Sequence, residues 1–374
     1  MIKSVVLLFF VSKVFSQNCT LDLSDPESPL ILNEDFTVPI FDKNQSLSFQ
    51  NNVLFYAVCP VGTRSTYIDE EGDNLACKSG TNVLNIRTVE IFDFTDIKCK
   101  PTGPATVKKI DQQCWTNGTL FEIGFNVYNE FVSMVTVCFD EVKLAPIYSK
   151  YNNTLLSDAQ WSGKIKHTYE ESLICDEIPC EWVNSGNVYF DVDVDVDAVY
   201  NNQAEILHDL GIDDLSLARF PLTMGFLSQI TSPNNRQRLQ YVPYFDYMNV
   251  VPVWNIEESV EALMQIVLVS VADSSYTGQT VISGTLGVIT VPDNEETELY
   301  LNDGKIPVPR WLWLVWDEME AIGFYYNGPY PDEAENEFTN LCYSPGCIFL
   351  VLCICEFNDV IDKEMKQFID NNFN

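Results

Sequence analysis

The sequence predicts an α+β protein with a β-rich, disulfide-stapled N-terminal domain over residues 17–150 and a second α+β domain over residues 151–374. Short apolar runs alternate with turn residues in the first part, whereas stretches with helical spacing of apolar residues begin only in the second. The 12 cysteines fall into an N-terminal and a C-terminal group, which indicates covalent cross-links at both ends of the chain.

Residues 1–16 have the pattern of a secretory signal peptide. Lys3 precedes an apolar stretch from Ser4 to Phe15, and Val14-Phe15-Ser16 offers a cleavage site near Ser16. The stretch is shorter than the ~20 apolar residues that a transmembrane helix needs, and no later run reaches that length. We therefore expect a secreted, extracellular protein without a membrane anchor.

The cysteines and the glycosylation sequences agree with this route. The chain has only two His and no CxxC spacing, so disulfides are favoured over a zinc site. A cysteine-free block between Cys180 and Cys342 separates the two groups, and the spacing leaves the pairing open. Asn-X-Ser/Thr sequences predict a glycoprotein, with acceptors at Asn18, Asn44, Asn117 and Asn152.

In the N-terminal domain, strands are predicted at 53–58, 83–86 and 132–139, and no catalytic constellation is found. A linker is predicted at 148–153. In the second domain, helices are predicted at 198–210 and 257–271. Strands are predicted there at 281–291, 298–301, 311–316 and 321–326, with one further buried strand over 347–355.

Asp and Val alternate strictly from Asp191 to Asp197, which places four carboxylates on one face of a strand. One interpretation is a site that binds calcium or attracts other cations, since hard cations take carboxylate oxygens. The other is a solvated edge strand whose charges prevent edge-to-edge pairing. The second is favoured, because no EF-hand spacing accompanies the repeat.

The formal net charge of −33 restricts the possible partners. A field of this sign repels polyanions at long range, so a nucleic-acid ligand requires a local basic surface and low salt. The same charge favours cations, amines or a basic host protein.

A series of short motifs nevertheless follows a known order between residues 148 and 359. These are Val199-Tyr200, Leu217-Ala218-Arg219, Asn249-Val250-Val251-Pro252, Tyr276-Thr277-Gly278, Gly284-Thr285-Leu286-Gly287-Val288, Ile306-Pro307-Val308-Pro309 and Cys353-Ile354-Cys355. In this order they resemble the insect branch of the secreted DNA/RNA non-specific endonucleases, which includes endonuclease-like salivary proteins of blood-feeding flies. The resemblance implies a ββα-metal nuclease fold for the second domain and an extra β domain before it.

The resemblance also implies an active site, and here the chain departs from the family. The family's motif ends in Arg-Gly-His-Leu, with the His as general base, whereas this chain has Arg219-Phe220-Pro221-Leu222. Proline has no titratable group, so Pro221 cannot replace a base that titrates near neutral pH. The Asn that would hold Mg²⁺ falls on or near Glu257, and its supporting Glu falls on Met264.

We therefore predict that no catalytic residue is intact and that Arg219 is retained as a phosphate-binding group. The predicted nucleic-acid-binding residues are Arg219, Arg236, Arg238 and Asn249, and the candidate Mg²⁺ ligands are Glu257 and Glu258. Lys305 and Arg310 complete a sparse basic set. His167 and His208 are more readily explained as surface or core residues than as a relocated base.

Three functions remain open on the sequence. The first is a nuclease-fold protein that binds DNA or RNA non-specifically with absent or residual hydrolysis. The second is an acidic secreted scaffold that binds cations, amines or a basic host protein. The third is an active metal-dependent endonuclease whose site is rebuilt around Glu257, Glu258 and His208.

Overall fold

The computed structural model describes residues 18–152, 222–227, 247–254, 280–328 and 338–373, with short gaps inside these ranges. The predicted helices at 198–210 and 257–271 and the acidic repeat Asp191–Asp197 lie outside the described residues. Within them, no helix is long and apolar enough to cross a membrane.

The N-terminal part forms two antiparallel sheets. A pair joins β1 (Cys19–Asp22) to β3 (Ser46–Phe49). A five-stranded sheet, called the N-terminal sheet, contains β2 (Leu30–Leu32), β4 (Leu54–Val58), β5 (Asp73–Ser79), β6 (Asn82–Asn85) and β7 (Ile91–Asp93), followed by a 3-10 turn (Phe94–Asp96). The order of its strands is β2-β4-β5-β6-β7. Alternate residues from one face of this sheet, such as Phe55, Leu75 and Val83, form a buried core.

A larger antiparallel sheet contains nine strands, which are drawn from residues 106–356. Its first four strands are β8 (Thr106–Gln113), β9 (Thr119–Val127), β10 (Glu130–Asp140) and β11 (Ala145–Asn152). The other five are β14 (Thr280–Val288), β19 (Pro309–Trp316), β20 (Ala321–Tyr326), β21 (Gly346–Phe349) and β22 (Leu352–Glu356). Their order is β21-β22-β20-β19-β14-β11-β10-β9-β8.

Short strand pairs complete the described architecture. β12 (Leu222–Phe226) pairs with β13 (Val250–Trp254), which follows a 3-10 turn (Tyr247–Asn249). β15 (Thr290–Val291) pairs with β16 (Asn294–Glu298), and β17 (Tyr300–Leu301) with β18 (Ile306–Pro307). A 3-10 turn (Phe357–Asp359) precedes the helix α1 (Lys363–Phe373).

The linker predicted at 148–153 is wrong, because residues up to Asn152 form the second half of β11. This strand pairs with β14, from Tyr148 opposite Gly284 to Asn152 opposite Thr280. Its side chains alternate between buried and exposed, with Ser149 inside and Lys150 outside. Residue 150 therefore lies within a strand of a sheet shared by both predicted domains, and the division of the chain into domains stays a prediction.

Most of the predicted strands are confirmed, with three differences. The first is the strand predicted at 298–301, which is interrupted at Leu299 between the end of β16 and β17. The runs at 53–58, 83–86, 132–139, 311–316 and 321–326 correspond to β4, β6, β10, β19 and β20. The run 281–291 is divided at Ile289 into β14 and β15. The single strand predicted over 347–355 is wrong: the chain reverses to form the β21–β22 hairpin, with Cys347 opposite Cys353.

The described cysteines confirm the predicted disulfides. The pairs are Cys19–Cys77, Cys59–Cys99, Cys114–Cys138 and Cys342–Cys355, each within one of the two predicted groups. No cysteine among the described residues is free. A disulfide-rich, β-dominated fold with one α-helix results in this part of the chain, and the ββα nuclease domain stays a prediction.

The second core lies against the nine-stranded sheet. Helix α1 buries Met365, Phe368 and Ile369 there, and the Phe368 ring centroid lies 5.0 Å from that of Trp313. Trp313 also packs over Gly284, where an added Cβ would clash with the Trp313 indole. A glycine is required at this position of β14 because the indole approaches the backbone closely.

Candidate nucleic-acid interface

The β12–β13 pair is flanked in the sequence by two parts of the predicted motif set. The strands run antiparallel, with Leu222 opposite Trp254 and Phe226 opposite Val250. The chain therefore enters β12 and leaves β13 at the same end of the pair. Arg219, Phe220 and Pro221 directly precede that entry in the sequence, and Glu257 and Glu258 follow that exit. These five residues lie outside the described part of the chain.

Asn249 is the one predicted nucleic-acid-binding residue that the structure describes. Its side chain is 0 % exposed, and its Oδ1 accepts a hydrogen bond from the Ser149 hydroxyl of β11. Its backbone oxygen accepts a hydrogen bond from the Leu227 amide at 2.9 Å. The nucleic-acid contact predicted for Asn249 stays a prediction, and it would require this buried amide to become exposed.

A second buried serine also forms a hydrogen bond in this region. Ser283 of β14 lies directly opposite Ser149 in the sheet and is also buried. Its hydroxyl donates to the Leu227 carbonyl oxygen at 2.5 Å. Ser149, Asn249, Leu227 and Ser283 thus form a continuous set of contacts between the nine-stranded sheet and the β12–β13 pair, which we call the buried polar bridge.

Asn327 also forms a hydrogen bond with this strand pair. It follows β20, is 0 % exposed, and donates from Nδ2 to the carbonyl oxygens of Pro252 at 3.1 Å and Pro309 at 2.8 Å. Buried polar groups with satisfied partners select one geometry, since any alternative leaves a group without its hydrogen bond. Asn327 and the buried polar bridge together hold β12 and β13 in a fixed position on the sheet.

Sequence reasoning missed Ser149, Ser283 and Asn327. The available signal was a polar side chain inside an apolar stretch, as in Val281-Ile282-Ser283 and Tyr325-Tyr326-Asn327. Buried polar side chains of this kind nearly always have a hydrogen-bond partner. Their partners lie far away in the chain and cannot be read from local sequence.

The metal and basic residues of the predicted site are mostly outside the described residues. This holds for Arg236, Arg238, Lys305, His167 and His208 as well as for the motif residues. In the described part, no group of three or more His, Cys, Asp or Glu side chains is placed to hold a metal ion. Arg310 is described on β19, where its backbone oxygen accepts a hydrogen bond from the Asn327 amide at 2.8 Å.

The shifted pKa values of the described residues do not provide a base or an acid for catalysis at neutral pH. Burial raises the pKa of the Tyr148 and Tyr325 phenols. A hydrogen bond to the Glu298 carboxylate raises the pKa of Tyr300 to about 12. All the shifted carboxyl groups in this part move downward: hydrogen bonds from Thr37, Thr81 and Lys109 lower the pKa of Asp35, Asp93 and Glu141 respectively. An efficient catalytic group needs a pKa near the working pH.

Comparison with known protein families and with characterised proteins finds no match to the chain. The resemblance to the secreted endonucleases therefore depends on the motif residues alone.

Proposed function

We propose that this chain is a secreted protein of the nuclease fold that binds DNA or RNA non-specifically, with absent or only residual phosphodiester hydrolysis. The observation that supports it most is the register of β12 and β13. Leu222 lies opposite Trp254, so the segments that carry Arg219 and Glu257 join the same end of one strand pair. The order strand, strand, predicted helix is the order that a ββα-metal site requires.

A fixed scaffold is the second support. A binding site works best when its residues extend from elements that are already rigid before the ligand arrives. Ser149 and Ser283 hold the strand pair through Asn249 and Leu227, and all four residues are buried. The proposed binding surface therefore begins from an anchored pair of strands.

The residue types determine what such a surface can do. The guanidinium of Arg219 offers a fork of donors that matches phosphate oxygens. Pro221 offers no proton acceptor where the family has its His, and loss of a general base costs roughly 10²- to 10⁴-fold in rate. Glu257 and Glu258 could still hold Mg²⁺ through carboxylate oxygens. Binding with little or no cleavage follows.

The test is binding of the full-length secreted protein to labelled duplex DNA at low salt, with Mg²⁺ and with chelator, and a denaturing gel of the products. We expect binding that weakens with added salt, because it depends on ionic contacts between arginine side chains and phosphates that release counterions from the DNA. We expect no strand breaks, or breaks that disappear with the chelator.

Variants locate the surface. Arg219→Ala and Arg236→Ala/Arg238→Ala should each weaken binding, whereas Lys143→Ala serves as the control for loss of a positive charge. Lys143 lies in the exposed turn between β10 and β11. Equal binding by all four proteins would overturn the proposal, as would the absence of binding at the lowest salt.

The net charge favours a second candidate, an acidic scaffold for a basic partner or for cations. The two candidates predict opposite results in the same assay. A scaffold of this kind fails to bind duplex DNA at any salt concentration and binds a basic protein instead.

A further inference from the structure

The hairpin between β6 and β7 presents aliphatic side chains to solvent. Ile86 is 44 % exposed, Val89 76 % and Ile91 62 %. They are three of the six large hydrophobic side chains that are exposed among the described residues, and they lie within six positions of one another. Single exposed aliphatic residues are ordinary, but a local concentration of them marks an interaction surface.

The strand register places most of these side chains together. Leu84 and Ile91 are direct partners across the hairpin, while their neighbours Val83 and Phe92 are buried in the core under the N-terminal sheet. Leu84 and Ile91 therefore occupy the opposite face of the sheet. Ile86 extends this row, since its amide still donates to the Asn74 carbonyl oxygen at 2.9 Å. We call Leu84, Ile86, Val89 and Ile91 the hairpin patch.

A polar network fixes the turn that carries the patch. The Asn85 side chain accepts hydrogen bonds from the amides of Arg87 at 2.8 Å and Thr88 at 3.2 Å. It donates to the Asp73 carboxylate and to the Tyr67 carbonyl oxygen, both at 3.0 Å. Arg87 in turn donates to both Asp73 oxygens, at 2.7 and 2.8 Å. These hydrogen bonds hold the turn in one conformation without help from a bound protein.

Val89 is held in a conformation that its side chain disfavours. Its φ of 59° lies in the left-handed region, which β-branched residues rarely occupy. Its amide donates to the Asn85 carbonyl oxygen at 2.9 Å, so the backbone of the turn imposes this angle. The side chain is mostly exposed and gains little burial in return. Backbone strain at such a position is characteristic of functional surfaces.

The charges around the patch indicate the chemistry of its partner. The Arg87 guanidinium is engaged by Asp73, whereas the exposed Glu90 stands between Val89 and Ile91 in the chain. The whole chain carries −33, so a second copy would bring like charge to the same surface. We propose that the hairpin patch docks a protein partner that presents aliphatic side chains flanked by Lys or Arg.

The proposal can be tested on the full-length protein with a synthetic peptide of alternating Leu and Lys as the probe. Two further peptides separate the contributions of charge and apolar contact: alternating Ser and Lys, and alternating Leu and Glu. Saturable binding of the Leu/Lys peptide, at least tenfold tighter than either of the others, is expected at physiological salt. Absence of that binding, or equal binding of the Ser/Lys peptide, would overturn the proposal.

Three variants assign the binding to the patch. Val89→Asn keeps a residue type that tolerates positive φ and removes the aliphatic group, and Ile91→Thr keeps a strand-forming residue. Each should weaken the Leu/Lys peptide at least fivefold without lowering the melting temperature. The control is Val142→Asn, at an 84 % exposed valine in the turn between β10 and β11, which should change the affinity less than twofold.

A separate measurement addresses self-association. Sedimentation of the protein alone should show no dimer that Val89→Asn or Ile91→Thr weakens. A dimer lost in both variants would make a second copy the occupant and overturn the assignment of a basic partner. Duplex DNA binding is measured independently, so either proposal can fail while the other stands.

Discussion

Ser149 and Asn249 are separated by 100 positions in the chain and share a hydrogen bond between fully buried side chains. Ser149 belongs to a strand that the sequence places at the end of the N-terminal domain, and Asn249 belongs to the motif set of the second. The bond therefore joins the two predicted domains in the interior, alongside the pairing of β11 with β14. The position of the β12–β13 pair depends on a residue outside the predicted nuclease-like domain.

Removing this hydroxyl should destabilise the protein. Ser149→Ala deprives the buried Asn249 oxygen of a donor, and a buried polar group that loses its partner costs about 1–3 kcal/mol. The free energy of unfolding, measured in urea, should fall by that amount. Ser133→Ala on β10 is the control, because Ser133 is exposed. A loss of the same size in both variants would show that the bond does not stabilise the fold.

The sequence alone predicts strands in which apolar residues alternate with polar ones or form a continuous run, provided that turn residues bound the segment. β19 and β20 are examples, since residues 311–316 and 321–326 are apolar and separated by acidic residues. The second half of β11 lies in the predicted linker 148–153: Ser149, Lys150 and Asn152 are polar, but buried and exposed residues alternate there as in a strand. The β21–β22 hairpin was missed because Leu350-Val351 contains no turn-forming residue.

Helix α1 could have been predicted. Met365, Phe368 and Ile369 follow the spacing of an amphipathic helix, and all three are buried against the sheet.

The candidate site could be predicted only in part. Its motif residues were recognisable locally, but the burial of Asn249 depends on Ser149 and Leu227, which no local pattern connects to it.

Restoring the family's residues should restore cleavage if the proposed site is correct. The variant Phe220→Gly/Pro221→His with Glu257→Asn supplies a general base and the family's metal-binding amide. We expect cleavage of supercoiled plasmid in Mg²⁺ to rise by roughly 10²- to 10⁴-fold over the parent. Phe220→Gly alone is the control and should remain inactive. A folded triple substitution without activity would count against the assignment of Pro221 to the position of the base.

The Asp73–Arg87 pair should contribute more to stability than a surface ion pair. The Asp73 side chain is 4 % exposed and Arg87 55 %, so Arg87→Ala leaves a nearly buried carboxylate without this counter-ion. Breaking a fully buried pair costs 3–5 kcal/mol, and the half-exposed arginine reduces this to roughly 1–3 kcal/mol. Chemical denaturation measures the difference.

Lys109→Ala provides the matched comparison. It removes an ion pair with Glu141 in which both side chains are about half exposed, at 48 % and 45 %. Exposed pairs contribute about 0–1 kcal/mol. In the Arg87→Ala protein, the amide hydrogens of residues 85–91 should also exchange faster with solvent, since the turn loses its hydrogen bonds to Asp73. Equal losses of stability in the two variants would contradict the ordering role assigned to Arg87.

Tyr325 should limit stability in alkaline solution. Its phenol is buried in the sheet and has no hydrogen-bond partner among the described residues, and burial raises its pKa above the usual value. The unfolded chain releases this proton near the ordinary tyrosine pKa of about 10, while the folded protein retains it. Stability is therefore unaffected below about pH 10 and falls as the pH rises further, by up to about 1.4 kcal/mol per pH unit for this group.

Tyr325→Phe removes both the ionisable group and the unsatisfied hydroxyl. We expect the free energy of unfolding to rise by about 1 kcal/mol at pH 7, because a buried donor without a partner is unfavourable. Above about pH 10 the stability of the variant should fall less steeply than that of the parent, since one fewer proton is released on unfolding. Tyr343→Phe, at a 77 % exposed phenol, is the control for neutral pH and should leave stability unchanged there. A destabilised Tyr325→Phe protein would indicate that the hydroxyl is hydrogen-bonded in solution.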